Sequence, residues 1–267
     1  RRVKRRMAAG RRSRIRRLVF RTASAAAAVV LLLTGGMTAV SVSKRLSQPT
    51  IVSTQMGERS QVVLPDGSKV WLNSCSRVEY SAPLLSRERR VKMEGEAYFE
   101  VEHDRHAPFV VSTNGLNVRV LGTRFNIRND DTNHRVTTVL LEGAVTADTR
   151  EHRCAPIRLR PAQQLVYDTR KGEMRLTDCT SAEASISWID GRLHFDRSTF
   201  AEIVAELKRY YNVDVHFTDA SLRNERFSGD FHVEDGIYHI MAVLRLTRKF
   251  SYTVHGNDIY LHAIPPK

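Results

Sequence analysis

The chain has no aspartate or glutamate before Glu58 and only three cysteines in 267 residues. The cysteines, Cys75, Cys154 and Cys179, show no CxxC spacing, which excludes a zinc ribbon or a dithiol redox motif. An odd count leaves at least one thiol unpaired. Cys75, in Asn73-Ser74-Cys75-Ser76, reads as a small buried residue beside a strand. Cys154 and Cys179 could pair, but in a predicted meander over 157–160, 164–168 and 173–177 they fall at opposite ends of the outer strands, and a disulfide needs Cα atoms within about 7 Å, which weighs against the pairing. P-loop, GxGxxG and nucleophile-elbow motifs are missing too, which removes the common nucleotide-binding and hydrolase folds.

The acid-free stretch gives the chain its charge. The first 45 residues hold eleven Arg together with Lys4 and Lys44, and the formal net charge of the whole chain is +13. Beyond residue 45 the two signs balance, 29 against 29, so the folded part exerts no general pull on a phosphate backbone. Residues 22–43 carry no charge and centre on Ala25–Leu33. A helix needs about 20 apolar residues to cross a bilayer, and flanking Lys and Arg mark the cytoplasmic side. The pattern predicts a basic cytoplasmic segment (1–21), a transmembrane helix (22–43), a linker (44–56) and the remaining chain across the membrane, in the periplasm of a Gram-negative cell. A cleaved signal peptide ending near Ala39-Val40-Ser41, or a twin-arginine signal at Arg16-Arg17, are the alternatives.

From Val62 apolar and polar residues alternate in short runs separated by Gly turns. Examples are Val62 and Leu64 before Pro65-Asp66-Gly67-Ser68, and Ala97, Phe99 and Val101 after Gly95. Short, evenly spaced strands predict an all-β sandwich, barrel or solenoid over 57–186. The texture then changes. Phe200, Ile203, Val204 and Leu207 follow helical spacing behind a Thr199/Glu202 capping box, and Ile237, Ile240, Met241 and Leu244 repeat the stripe 37 residues on. The expected fold class is α+β: one transmembrane helix, a mostly β solenoid-like domain, and a small duplicated strand–helix–strand domain over 187–267.

Candidate chemistry is sparse. Asp66 and Glu142 stand beside turn glycines, and Glu94, Glu96 and Glu100 fit the solvent face of a strand. His103-Asp104-Arg105-His106 has HxxH spacing without a third ligand. Trp71 and Trp188 read as core or hinge packing. No catalytic, metal or cofactor site is expected.

Several motifs in fixed order resemble the FecR family of membrane-bound anti-sigma regulators. They are Leu64-Pro65-Asp66-Gly67-Ser68, Met93-Glu94-Gly95-Glu96-Ala97-Tyr98-Phe99, Leu121-Gly122-Thr123-Arg124-Phe125, and Glu142-Gly143-Ala144-Val145. Trp188-Ile189-Asp190-Gly191, Tyr210-Tyr211-Asn212-Val213 and Phe227-Ser228-Gly229-Asp230-Phe231 are similar to the C-terminal domain found in that family. The resemblance implies no catalysis. It implies a repeating β domain, then a domain like the short N-terminal signalling domains of secretins and TonB-dependent receptors. It also implies two partners: an extracytoplasmic-function sigma factor inside, and the signalling domain of an outer-membrane TonB-dependent receptor outside. Family members carry a helical sigma-binding domain before the span. With 21 residues ahead of it here, that domain is expected upstream of residue 1, or the sigma contact is unusual. An intramembrane protease acting near Gly35-Gly36 would release the signal. A membrane-anchored glycan-binding or hydrolytic envelope protein is the alternative.

The receptor contact is expected on an edge strand of the C-terminal domain. Phe227, Ser228 and Phe231 form the first candidate strand, and Ile259, Tyr260 and Leu261 the second. Gly67, Gly95, Gly122 and Gly143 are expected to act through the backbone, with Asp66, Glu96, Phe99, Thr123 and Phe125 as motif residues around them.

Overall fold

A computed structural model describes residues 34–36, 49–81, 87–131, 133–150, 154–247 and 250–264. The chain divides into two compact units. One comprises Arg1–Gln48 and Ala82–Leu85, nearly all outside the described residues; the other comprises Pro49–Ser81 and Ser86–Lys267. The basic segment 1–21 and the span expected over 22–43 lie outside the described residues, apart from a helical turn at 34–36. No helix among the described residues is long and apolar enough to cross a membrane.

Fourteen strands build the first domain. They are β1 (Thr50–Ser53), β2 (Ser60–Val63), β3 (Lys69–Leu72), β4 (Arg77–Tyr80), β5 (Arg89–Glu94), β6 (Glu96–Glu100), β7 (Phe109–Ser112), β8 (Leu116–Val120), β9 (Arg124–Asp130), β10 (Arg135–Glu142), β11 (Val145–Thr149), β12 (Ile157–Leu159), β13 (Gln163–Asp168) and β14 (Glu173–Asp178). One sheet runs β1-β4-β5-β7-β8-β11-β12 and the second β14-β13-β10-β9-β6-β3-β2. The chain passes from one layer to the other every one or two strands, because a strand pair can bury only one face in a shared core. Strand number therefore rises steadily along each sheet. That steady advance is what a solenoid pattern reads; the product is two seven-stranded sheets around one apolar core. On β8 the alternation is plain: Leu116, Val118 and Val120 are buried, while Asn117 and Arg119 are not.

Two expectations are corrected. Residues 50–53, assigned to a linker, form β1 and pair with β4. The meander over 157–177 is split, because β12 pairs with β11 in the first sheet while β13 and β14 close the second.

The C-terminal domain contains β15 (Arg192–Thr199), α1 (Phe200–Tyr210), β16 (Asp214–Phe217), β17 (Arg226–His232), α2 (Ile237–Thr247), β18 (Phe250–His255) and β19 (Asp258–Ala263). Thr199 accepts from the Glu202 N–H, and Glu202 accepts from the Thr199 N–H, a complete capping box. Both helices are 11 residues long, and both apolar stripes lie buried in one core. The strand–helix–strand units β15-α1-β16 and β17-α2-β18 supply an antiparallel pair, β15·β17, and a three-stranded sheet, β16-β19-β18.

Candidate functional site

The FecR-like motif residues fall in two layers. Phe99 and Phe125 are fully buried on facing strands and stack at 5.1 Å between centroids. Thr123 Oγ1 donates to the Ala144 carbonyl at 3.0 Å. Asp66 accepts from Ser68 N–H and Oγ across its turn, and from Arg89 Nη1 at 2.8 Å. Gly67 and Gly143 have φ of 87° and 94°. Gly95 combines φ of 81° with a close approach: an added Cβ would lie 2.7 Å from the Cys75 carbonyl oxygen. Gly122 differs from the other three. Its φ is not positive, and what forbids a side chain is His103, whose Cα an added Cβ would meet at 2.7 Å.

Glu96 departs most from the sequence reading. Its strand parity does point it out of the sandwich, but it is only 4% exposed. The C-terminal domain covers the outer face of the second sheet at this point. Glu96 Oε2 accepts from Asn73 Nδ2 and Oε1 from Asn126 Nδ2, both at 3.0 Å, and Arg209 Nη2 of α1 stands 3.6 Å from Oε2. Two residues along β9, Arg128 pairs with Glu206 of α1 at 2.6 Å. Tyr210 closes the group, its hydroxyl donating to Asn73 Oδ1 at 3.0 Å.

The backbone joins in. The Arg209 carbonyl at the end of α1 accepts from Gly57 N–H and from Ser74 Oγ, and Arg209 Nη2 donates to the Ser74 carbonyl. Arg59 Nη1 donates to the Trp188 and Ile189 carbonyls, holding the segment that enters the C-terminal domain. These bonds make one seam between sandwich and C-terminal domain, in which the buried Glu96 and the half-buried Arg128, Glu206 and Arg209 form ion pairs.

The electrostatics follow from that burial. Desolvation works against the Arg128 cation, yet Glu206, Glu96 and Asp130 outweigh it and raise its pKa. Burial, and then the Glu206 and Glu96 carboxylates, raise the Tyr210 phenol, which stays a neutral donor. Asp130, at the rim, is pushed up by burial but brought below its ordinary range by two hydrogen bonds from Asn133 and by Arg128.

Beside the seam lies a cleft of about 550 Å³. Its walls are the outer face of β9, β10 and β13 on one side, and Trp188, α1 and β15 on the other. Sequence reasoning missed the seam residues Asn73, Asn126, Arg128, Glu206 and Arg209. The available signal was weak: Glu206 and Arg209 flank the buried stripe of α1, and Asn126 and Arg128 alternate with Phe125 and Ile127.

The two expected edge strands fare differently. Phe227 and Phe231 are core residues, while Ser228 is exposed and accepts from Arg197 N–H. β17 pairs with β15 alone. The second candidate is overturned: β19 lies between β16 and β18 and pairs with both, so Ile259, Tyr260 and Leu261 offer no open edge. Ile259 and Leu261 are buried, and Tyr260 stacks on His216 at 4.8 Å.

Of the other acids, Glu94 and Glu142 are exposed, and Glu100 and Glu142 both face Arg124. No group of three or more metal-ligating side chains occurs among the described residues. The three thiols are free, and Cys75, expected buried, is exposed at a φ of 54°.

The FecR protein family model matches residues 50–146, and the model for the FecR C-terminal domain matches residues 192–261. Two crystal structures of a candidate anti-sigma factor from Parabacteroides distasonis, at 1.65 and 2.50 Å, superpose with TM-scores of 0.73 and 0.72. They are 27% and 28% identical to this chain and cover 81% and 82% of it, each over 100% of its own length. No curated protein matches. The two matched regions fall on the sandwich and on the C-terminal domain, either side of the seam, and the chain is a FecR-family protein carrying the family's anti-sigma factor domains.

Proposed function

We propose that this protein is an inner-membrane signal transducer, and that the seam is its relay. The N-terminal segment faces the cytoplasm, residues 22–43 span the membrane, and the sandwich and C-terminal domain stand in the periplasm. A TonB-dependent outer-membrane receptor presents its signalling domain to the C-terminal domain, and an extracytoplasmic-function sigma factor is restrained on the cytoplasmic side. Members of the FecR family are non-catalytic regulators, and this chain is not an enzyme.

The observation that carries the reading is the seam itself. A C-terminal domain tethered by a loose linker could bind a receptor without the sandwich sensing it. Here α1 places Glu206, Arg209 and Tyr210 directly on β9, β6 and the β3–β4 turn. Force or rotation applied to α1 therefore reaches the sandwich through ion pairs and the hydrogen bond from Tyr210. The receptor strand adds to the outer edge of β17, where Ser228 and Asp230 alternate with buried Phe227 and Phe231.

The test is capture of the full chain from cells. A sigma factor and a receptor signalling domain should co-purify, and Ser228→Pro should reduce receptor capture at unchanged circular dichroism. Recovery of neither partner would reject the relay. Periplasmic reporters fused after Lys267 should be active, and activity of cytoplasmic reporters there would reject the topology. Replacing Gly35 and Gly36 with Leu should slow release of the N-terminal fragment if a protease completes the signal.

A further inference from the structure

The cleft beside the seam has along one wall a strand edge that no other strand among the described residues pairs with. In the β15·β17 ladder Val233 N–H donates to the Gly191 carbonyl, and Leu193 pairs with Phe231 and Phe195 with Gly229. Bonded and non-bonded pairs alternate in an antiparallel ladder, so residues 191, 193 and 195 bond to β17. The main chain of Arg192 and His194 therefore points the other way, and Asp196 and Arg197 fall in the bulge between Phe195 and Ser198. Consistent with this, the Arg192 carbonyl takes the Ser187 hydroxyl, and His232 N–H goes to Asp235 instead of β15. Residues 192–196 line the cleft without a break, buried and exposed side chains alike, which a strand does only along its edge.

Two uncharged groups in the cleft also lack hydrogen-bond partners among the described residues. The indole N–H of Trp188, 5% exposed, and Oδ1 of Asn126, 3% exposed, are buried and make no hydrogen bond. They supply one donor and one acceptor, the complement of a peptide group. A buried polar atom left unmatched is destabilising, and an incoming ligand that matched it would recover that loss. With the seam pairs Glu96–Arg209 and Glu206–Arg128 set aside, the lining carries Asp130, Asp196 and Glu202 against Arg135 and Arg192, a negative balance that favours a cationic ligand. The volume, about 550 Å³, is that of an ordinary ligand site.

We infer that this cleft is a peptide-binding site in which an extended, lysine- or arginine-bearing segment of a partner protein adds as a strand to the free edge of β15, its basic side chains meeting Asp130 and Asp196. The site is separate from the outer edge of β17 and requires neither a receptor nor a sigma factor. A strand seated there would touch both walls, so its occupancy would be felt at the seam.

The test uses the full chain carrying Trp71→Phe, so that Trp188 is the sole tryptophan. The probe is an acetylated heptapeptide of alternating threonine and lysine. Binding should shift Trp188 emission and slow amide exchange at His194 at least tenfold. A threonine–glutamate peptide should bind at least tenfold more weakly. His194→Pro, which removes an edge N–H together with the His194–Asp230 side-chain contact, should abolish the Trp188 emission shift, and Asp230→Asn, which weakens that contact alone, should keep it; Asp196→Lys should weaken binding while leaving the fold intact by circular dichroism. Unprotected edge amides at millimolar peptide, or equal affinity for the acidic peptide, would overturn the proposal. So would a His194 amide that already exchanges slowly in the free chain, since its own sequence would then fill the edge.

Discussion

The two faces of the second sheet are both buried near Glu96, by opposite chemistry. Its inner face presents Val70, Ala97, Phe99, Phe125 and Ile127, all fully buried in the sandwich core. Its outer face presents Glu96, Asn126 and Arg128, which meet Asn73, Glu206, Arg209 and Tyr210 across the seam. The inner face is held by dispersion and the hydrophobic effect, which tolerate many partners. The outer face is held by charges that each need a particular partner, and removal of one leaves the other stranded. The first kind of contact makes a domain; the second fixes how one domain sits on another and can be switched.

The comparison can be broken from either side. Phe125→Ala should have the largest effect, a loss of about 4 kcal/mol from a cavity in the core, read as a lower urea midpoint for the sandwich. Next is Glu206→Ala, which leaves Arg128 without its ion partner. Arg128 keeps 32% of its side chain in solvent, so the cost falls near the low end for such pairs, about 2 kcal/mol. Limited proteolysis should then cut between the domains while both cores survive. Thr199→Ala removes the capping box of the helix that carries the seam and should cost about 1 kcal/mol, read by thermal melting of the C-terminal domain.

The smallest effect concerns pH. The Asp130 carboxyl is held below its ordinary range in the folded chain, so its contribution is present above the unfolded value near 3.9 and is lost as pH falls through the folded one. Asp130→Asn should lower the melting temperature at neutral pH, where the contribution is present, and flatten the acid limb of the melting curve below about pH 4. An unchanged acid limb would remove Asp130 from the seam's charge balance.

The sequence made one face legible and hid the other. Period-two alternation in 116–120 and period-3.6 spacing in 200–207 report which residues leave water together, and the structure buries them as read. Alternation says nothing about what covers the remaining face. Glu96 has the parity of a solvent-facing residue, and it is buried only because α1, more than a hundred residues later, lands on it. The edges were hidden for the same reason. β19 follows every other strand in the sequence, yet it sits in the middle of its sheet, because the parallel crossover places β16 on its far side. Gly122 was legible as a glycine that must stay small, but its cause is the approach of His103, which local sequence does not report.

The central claim is that the seam makes sandwich and C-terminal domain respond as one body. Differential scanning calorimetry of the full chain, wild type against the double variant Glu206→Ala/Arg209→Ala, tests it most directly. The account predicts one shared transition for the two domains in the wild type and two separate transitions in the variant, with the sandwich melting nearly unchanged. Two independent transitions already present in the wild type, at the same temperatures as in the variant, would contradict it.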